Sequence, residues 1–246
     1  MGGNVDKWRE AFRHEEGWNN RTYQAIQRAE APLIAGWLKG TGLDRMEILE
    51  LGCGNGLLAS LLCRWLAKEG IDFSYRVTDL LPEAVDSARE KFRDFPQPER
   101  ISFQSLDIHD LVKDLGPASQ SLIVSTGHAS AASYRWAVPL VAESLKPGGT
   151  LIYFSHNIKS LHWYSPYCHD QLRWKMSNCC KAFKDWSYIV EAGVYTFYGS
   201  REFVAYQAEE PGLKLIGSRG FARFSSKSID EYFSPYILYA FKKPAR

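Results

Sequence analysis

The sequence predicts an α/β protein built on a doubly wound, mostly parallel sheet of seven strands. Three observations carry this reading. Short apolar runs alternate with helical patterns from about residue 45 to residue 155, the rhythm of right-handed βαβ crossovers. The run Met46 to Leu51 ends in Gly52-Cys53-Gly54-Asn55-Gly56, and a helical pattern opens at Leu57. The second and third apolar runs close on acids, Asp79 and Asp107, at the strand tips where such sheets bind ligands.

Each element has its own signal. Residues 4 to about 39 carry Trp8 and Phe12, then Ile26, Ala29, Leu33, Ile34 and Trp37, at helical spacing. Gly17-Trp18-Asn19-Asn20 divides this stretch into two helices, and Gly40-Thr41-Gly42 ends the second. Strand one runs from residue 46 to 51, followed by a helix from Leu57 to about Lys68 that Gly70 closes. Phe73 to Thr78 forms strand two, and Pro82 opens a helix to about Phe95. Ile101 to Leu106 forms strand three and Ser121 to Ser125 a short buried strand four. A helix from about Ser133 to Leu145 leads through the turn Lys146-Pro147-Gly148-Gly149 into strand five, Thr150 to Ser155. There the alternation stops. Residues 156 to about 195, rich in His, Trp, Tyr and Cys, read as a helical insertion. Ser200 caps a helix to about Glu210, and Leu213 to Gly217 and Tyr236 to Phe241 supply two last strands. No linker divides the chain. It reads as one domain: a helical cap (1–44), a core (45–155), an insertion (156–199) and a C-terminal helix with strands (200–246).

Composition narrows the function. The 246 residues, 45% apolar and 24% charged, are ordinary for a soluble globular domain. A net charge of +2 with scattered Lys and Arg argues against a nucleic-acid partner. No apolar run approaches the ~20 residues of a membrane span. The N-terminus has no hydrophobic signal core, and Asp6 stands where a myristoylation signal needs Ser or Thr. Five cysteines, an odd count, suit a reducing compartment, so a cytoplasmic location is expected. Cys168, His169, Cys179 and Cys180 lack the spacing of a metal site, and no metal is expected. The 14% of aromatic residues, with 8 Trp and 13 Tyr, points to an aromatic-lined pocket.

The glycine turn discriminates further. A dinucleotide-binding turn needs G-x-G-x-x-G, and here the third glycine, Gly56, comes one residue early. The stretch Glu50-Leu51-Gly52-Cys53-Gly54-Asn55-Gly56 instead resembles the first motif of the class I S-adenosylmethionine-dependent methyltransferases. Asp79, Asp107 and Lys146-Pro147-Gly148-Gly149 follow in that family's order. The resemblance covers about residues 45 to 155 and implies a Rossmann-like fold with S-adenosylmethionine as cofactor. It places Glu50, Gly52, Cys53, Gly54 and Asn55 in the loop beneath the cofactor's amino-acid part. It puts Asp79, with Leu80, on the ribose, and Asp107 and Ile108 on the adenine. Ser125 and Thr126, at the tip of strand four, are further expected cofactor contacts. Ser121 departs from the family, which often has an acid there. The absence of an N-P-P-Y motif argues against a DNA-adenine or protein-glutamine substrate.

Methyl transfer from a sulfonium gains mostly from alignment, plus a base where the acceptor must lose a proton. His128 and His156, after strands four and five, are the candidates, since histidine titrates in the useful range. Local packing is the alternative role for each. The insertion falls where the family builds its substrate lid, so His162, Trp163 and Tyr164, with Trp18 and Tyr23 of the cap, are candidate acceptor contacts. These aromatics could equally fill the interface between lid and cap. The expected function is methyl transfer to a small aromatic or heterocyclic metabolite of natural-product type. The rivals are a protein or tRNA methyltransferase, a non-catalytic binding protein on the same fold and, more distantly, a nicotinamide dehydrogenase. The expected partner is a small-molecule acceptor, with neither nucleic acid nor membrane, and the sequence does not report an oligomeric state.

Overall fold

The structure, a computed structural model, describes residues 21–40, 45–125, 129–157, 198–199, 211–220 and 236–245. Helix α1 (Arg21–Lys39) leads into β1 (Arg45–Leu51), followed by α2 (Leu57–Lys68), β2 (Asp72–Asp79) and α3 (Pro82–Glu90). Then come β3 (Ile101–Ser105), α4 (Leu111–Leu115), β4 (Gln120–Ser125), α5 (Ala129–Ser144) and β5 (Leu145–Asn157). The two-residue β6 (Tyr198–Gly199), β7 (Lys214–Gly220) and β8 (Tyr236–Lys242) complete the described elements.

One sheet holds all the strands in the order β3-β2-β1-β4-β5-β8-β7, with β6 paired to β5 off this path. The pairs β3–β2, β2–β1, β1–β4 and β4–β5 are parallel, while β8 runs antiparallel to both β5 and β7. The strand order reverses between β1 and β4. In open sheets of this kind, ligands bind outside the carboxyl ends of the strands at such a switch.

Two cores sandwich the sheet, as the period of two along a strand requires. Met46 and Ile48 of β1 join Leu58, Leu62 and Leu66 of α2, Ile34 of α1 and Phe73, Tyr75 and Val77 of β2 on one face. Leu49 and Leu51 point the other way, to Val138, Val141 and Ala142 of α5, Leu111 of α4 and Tyr239 and Phe241 of β8. Glu50, next but one to Ile48, therefore lies on the α2 face.

Several boundaries differ from the sequence reading. Helix α3 stops at Glu90 and not near Phe95. Tight turns follow, with Lys91 N–H donating to Ala88 O and Phe92 N–H to Arg89 O. They turn Phe92 and Phe95 into the core, where Phe92 meets Phe95 and Phe103 edge to face at 5.6 and 5.4 Å. Pro96 also disfavours helix at the residue before it. Strand β5 begins at Leu145, and the Lys146–Gly149 turn is an excursion within it. Its pairing with β4 jumps from Gln120↔Leu145 to Leu122↔Thr150. Helix α4, of five residues, is too short to show a period. Helix α5 starts at Ala129, earlier than expected, and β7 runs on to Gly220. Strand β6 falls within the stretch read as insertion. The expected first helix, the bulk of the lid and the helix after Ser200 lie outside the described residues. No helix among the described residues is long and apolar enough to cross a membrane.

Candidate functional site

The turn after β1 is held from β2. Cys53 N–H donates to Thr78 O (2.9 Å), Gly56 N–H closes back on Cys53 O (2.9 Å), and Gly54 N–H donates to Asp79 Oδ2 (2.9 Å). Gly52, Gly54 and Gly56 have φ of 75°, 53° and 72°, values that β-carbons oppose. Burial alternates along the turn: Cys53 and Asn55 are buried while Gly52 and Gly54 stay partly open. The Cys53 thiol is pushed well up by burial, and Asn55 Oδ1 accepts from Leu57 N–H (3.1 Å) at the start of α2. These two side chains build the turn.

The glycines have different tasks. Among the described residues, a β-carbon on Gly54 would meet nothing within 4 Å, whereas one on Gly56 would lie 2.6 Å from Ala88 Cβ and 2.8 Å from Ala88 Cα. Gly56 lets α3 pack against the turn. Gly54 leaves open space at the carboxyl edge. That is the room a ligand laid against the backbone requires.

Asp79 sits at the tip of β2, half-buried. Its Oδ1 accepts from Leu81 N–H (3.1 Å), so the carboxylate ties the glycine turn to the start of α3. Burial raises its titration from the ordinary carboxylate range, against the amides of Leu81, Gly54 and Leu80 that lower it. Each oxygen keeps a lone pair for a hydroxyl donor. Beside it, Leu106 N–H donates to Asp79 O (2.9 Å) and Ser105 Oγ to Leu80 O (3.1 Å), setting Asp107 next to the β2 tip. Asp107 Oδ1 accepts from His109 N–H (3.0 Å) and lies 2.7 Å from His109 Nδ1. Asp107, Ile108 and Leu80 are all partly open. The structure thus brings Gly52, Gly54, Asp79, Leu80, Asp107 and Ile108 to one accessible edge.

Glu50 lies elsewhere. It is 1% exposed beneath the turn. Tyr75 Oη donates to Glu50 Oε2 (2.9 Å), Thr78 Oγ1 donates to Glu50 O (2.6 Å), and Oε1 has no hydrogen-bond partner among the described residues. Burial drives the carboxyl up to about 8, with the charge of Asp79 adding to it and the Tyr75 hydrogen bond opposing.

Ser125 is buried at the tip of β4. The backbone of His156 pairs with Tyr198 of β6 and Tyr236 of β8, one residue before β5 ends, and so stands at the same edge of the sheet. Tyr23 is placed by its backbone in the first turn of α1. Thr126, His128, Trp18, His162, Trp163 and Tyr164 lie outside the described residues. The Lys146–Gly149 turn lies at the opposite edge. Lys146 Nζ meets Glu47 Oε2 at 2.8 Å and Ser121 Oγ donates to the same oxygen at 2.5 Å, joining β5, β1 and β4. Sequence reasoning missed Tyr75, Thr78 and His109, whose roles depend on cross-strand register and a local turn. It also missed the Gly56–Ala88 approach.

The residues fit S-adenosylmethionine: an open glycine turn and two carboxylates on adjacent strand tips suit a ligand with backbone-facing, hydroxyl and amino groups. Comparison with known proteins agrees. A family model described as "Methyltransferase domain" matches residues 48–149. The chain is 31% identical over 123 residues to the non-reducing polyketide synthase sorB of Penicillium rubens, covering 48% of this chain and 4% of that far longer one. Among solved structures, it resembles the DszA carbon methyltransferase (TM-score 0.61, 14% identity, 93% of this chain and 56% of that one). It also resembles the CcbJ methyltransferase of Streptomyces caelestis (TM-score 0.60, 15% identity, 87% and 95%). Residues 48–149 therefore match a methyltransferase domain, and the described sheet shares its fold with solved methyltransferases.

Proposed function

We propose that the chain transfers a methyl group from S-adenosylmethionine to a carbon of a small polyketide-type metabolite. The similarity to a polyketide synthase over 123 residues carries the acceptor class, and the likeness to a carbon methyltransferase favours carbon over oxygen or nitrogen. When bound, S-adenosylmethionine supplies an electrophilic methyl group. Asp79 holds the ribose hydroxyls, Asp107 accepts from the adenine amino group, and Leu80 and Ile108 pack on the ring. Gly52 and Gly54 leave room for the amino-acid part. Carbon becomes nucleophilic only after losing a proton, and a carbon between two carbonyls is acidic enough for an imidazole to take it. His156, whose backbone stands at the carboxyl edge, and His128 are the candidates for that base, and His162, Trp163 and Tyr164 are the candidate acceptor contacts.

The test is turnover with methyl-labelled cofactor on a β-ketoacyl thioester, beside an aromatic phenol, a protein fraction and a tRNA fraction. A single added methyl, located on carbon by mass spectrometry and NMR, is the expected result. Label confined to the phenol oxygen, the protein or the RNA would overturn the carbon reading. Replacing His156 or His128 by Asn should lower turnover by roughly 10²–10⁴-fold for the residue that is the base, with cofactor affinity kept.

A further inference from the structure

Glu50 is costly where it stands. A carboxyl with one oxygen lacking a partner among the described residues in a closed core costs folding free energy. The groups whose charge reaches it are Tyr75 and Asp79 on β2, Cys53 in the turn and Cys63 on α2. None of them is a cation. Two residues further along the chain, Gly52 opens the turn at the edge where the ligand reading places a sulfonium and an ammonium. A positive charge arriving there, across low-dielectric protein, favours the ionised carboxylate.

We infer that Glu50, held by Tyr75, is a proton-releasing positioning residue: it is neutral in the free protein and ionises when the cationic cofactor occupies the turn. This rests on the cofactor reading above and deepens it. The balance is simple. The neutral carboxyl of Glu50 becomes a carboxylate that keeps the Tyr75 hydrogen bond, and the proton passes to solvent. S-adenosylhomocysteine has the same ammonium but a neutral sulfur, so it releases less proton. Glu50 thereby favours the cofactor over the product left after transfer. The upward displacement of its titration, to about 8, places the effect near neutral pH.

Calorimetry on the full chain tests this, with S-adenosylmethionine and S-adenosylhomocysteine titrated from about pH 6 to about pH 9 in buffers of different ionisation enthalpy. Affinity for S-adenosylmethionine should rise ~3–10-fold per unit of pH up to about 8, with proton release, and more steeply than for S-adenosylhomocysteine. Glu50→Gln should flatten the parent's additional slope and abolish that share of proton release. Tyr75→Phe removes the bond that favours the carboxylate, so the same limb should move to higher pH, a shift that a merely structural tyrosine would not cause. Equal slopes in the parent and Glu50→Gln, or an unshifted limb in a folded Tyr75→Phe, would overturn the inference while leaving cofactor binding intact. A folded parent that binds neither compound at any pH would overturn the cofactor reading and this inference together.

Discussion

Two acids one strand apart have opposite tasks, and burial assigns them. Glu50 lies in the core with an oxygen unpartnered among the described residues, and Asp79 stands half-open with both oxygens on backbone amides. For Glu50 the folded value of about 8 lies above the ordinary 4.5. The unfolded chain therefore ionises first, and the stability of the folded state falls as pH rises from about 4.5 to about 8, by roughly 3–5 kcal/mol at most. Glu50→Gln keeps the shape and the Tyr75 hydrogen bond without the titration. Its melting temperature should be nearly level over that window, exceeding the parent's at about pH 8 and approaching it at about pH 5. A parent whose melting is flat across the window would show that Glu50 is not held neutral. Asp79→Ala has two effects, because its carboxylate also anchors Gly54 and Leu81. It should weaken S-adenosylhomocysteine binding by roughly 2–3 kcal/mol and lower the melting temperature as well. Calorimetry beside thermal melting separates the two, and unchanged affinity would remove Asp79 from the ribose.

At the scale of elements, the glycine turn divides between close packing at Gly56 and open space at Gly54. Gly56→Ala puts a β-carbon 2.6 Å from Ala88 Cβ at a positive φ, so α3 must move. It should cost about 2–4 kcal/mol of stability, seen in denaturant melts. A β-carbon at Gly54 meets none of the described residues within 4 Å. Gly54→Val should abolish cofactor binding, with a stability loss confined to strain at the turn, about 1–2 kcal/mol. If Gly54→Val binds normally, no ligand lies over the turn. This difference was invisible in the sequence, where three glycines look alike, because Ala88 approaches only through tertiary packing. What was legible was local: β1, α2 and β2 match their apolar periods closely, and the strand-tip acids follow from where those periods end. The end of α3 was not, since Phe92 and Phe95 continue a helical spacing while serving the core from turns. Nor was the burial of Glu50, which depends on β1 and β2 pairing Ile48 with Tyr75.

The whole molecule separates its two sheet edges by task. The carboxyl edge gathers Gly54, Asp79 and Asp107. The amino edge is tied by Glu47, Ser121 and Lys146, which join β1, β4 and β5 where the Lys146–Gly149 excursion breaks the ladder. The turn that in sequence reads as part of the family's motif order is a clasp on the far side. Lys146 and Ser121 hold the Glu47 carboxyl below the usual range, against burial that raises it. The clasp's stability is present above that range and is lost as pH falls through the lowered value. Lys146 and Glu47 are 39% and 29% exposed, so solvent screens the pair. Lys146→Met should cost only about 0.5–1 kcal/mol at neutral pH. S-adenosylhomocysteine affinity should stay within about twofold of the parent, because a change at one edge has no contact with the other. Melting curves taken with and without saturating S-adenosylhomocysteine measure both quantities in one experiment. The ligand should raise the melting temperature of Lys146→Met and of the parent by equal amounts, while Asp79→Ala loses most of that rise. A Lys146→Met variant whose ligand-induced rise collapses would join the two edges energetically, and the clasp would then belong to the binding site.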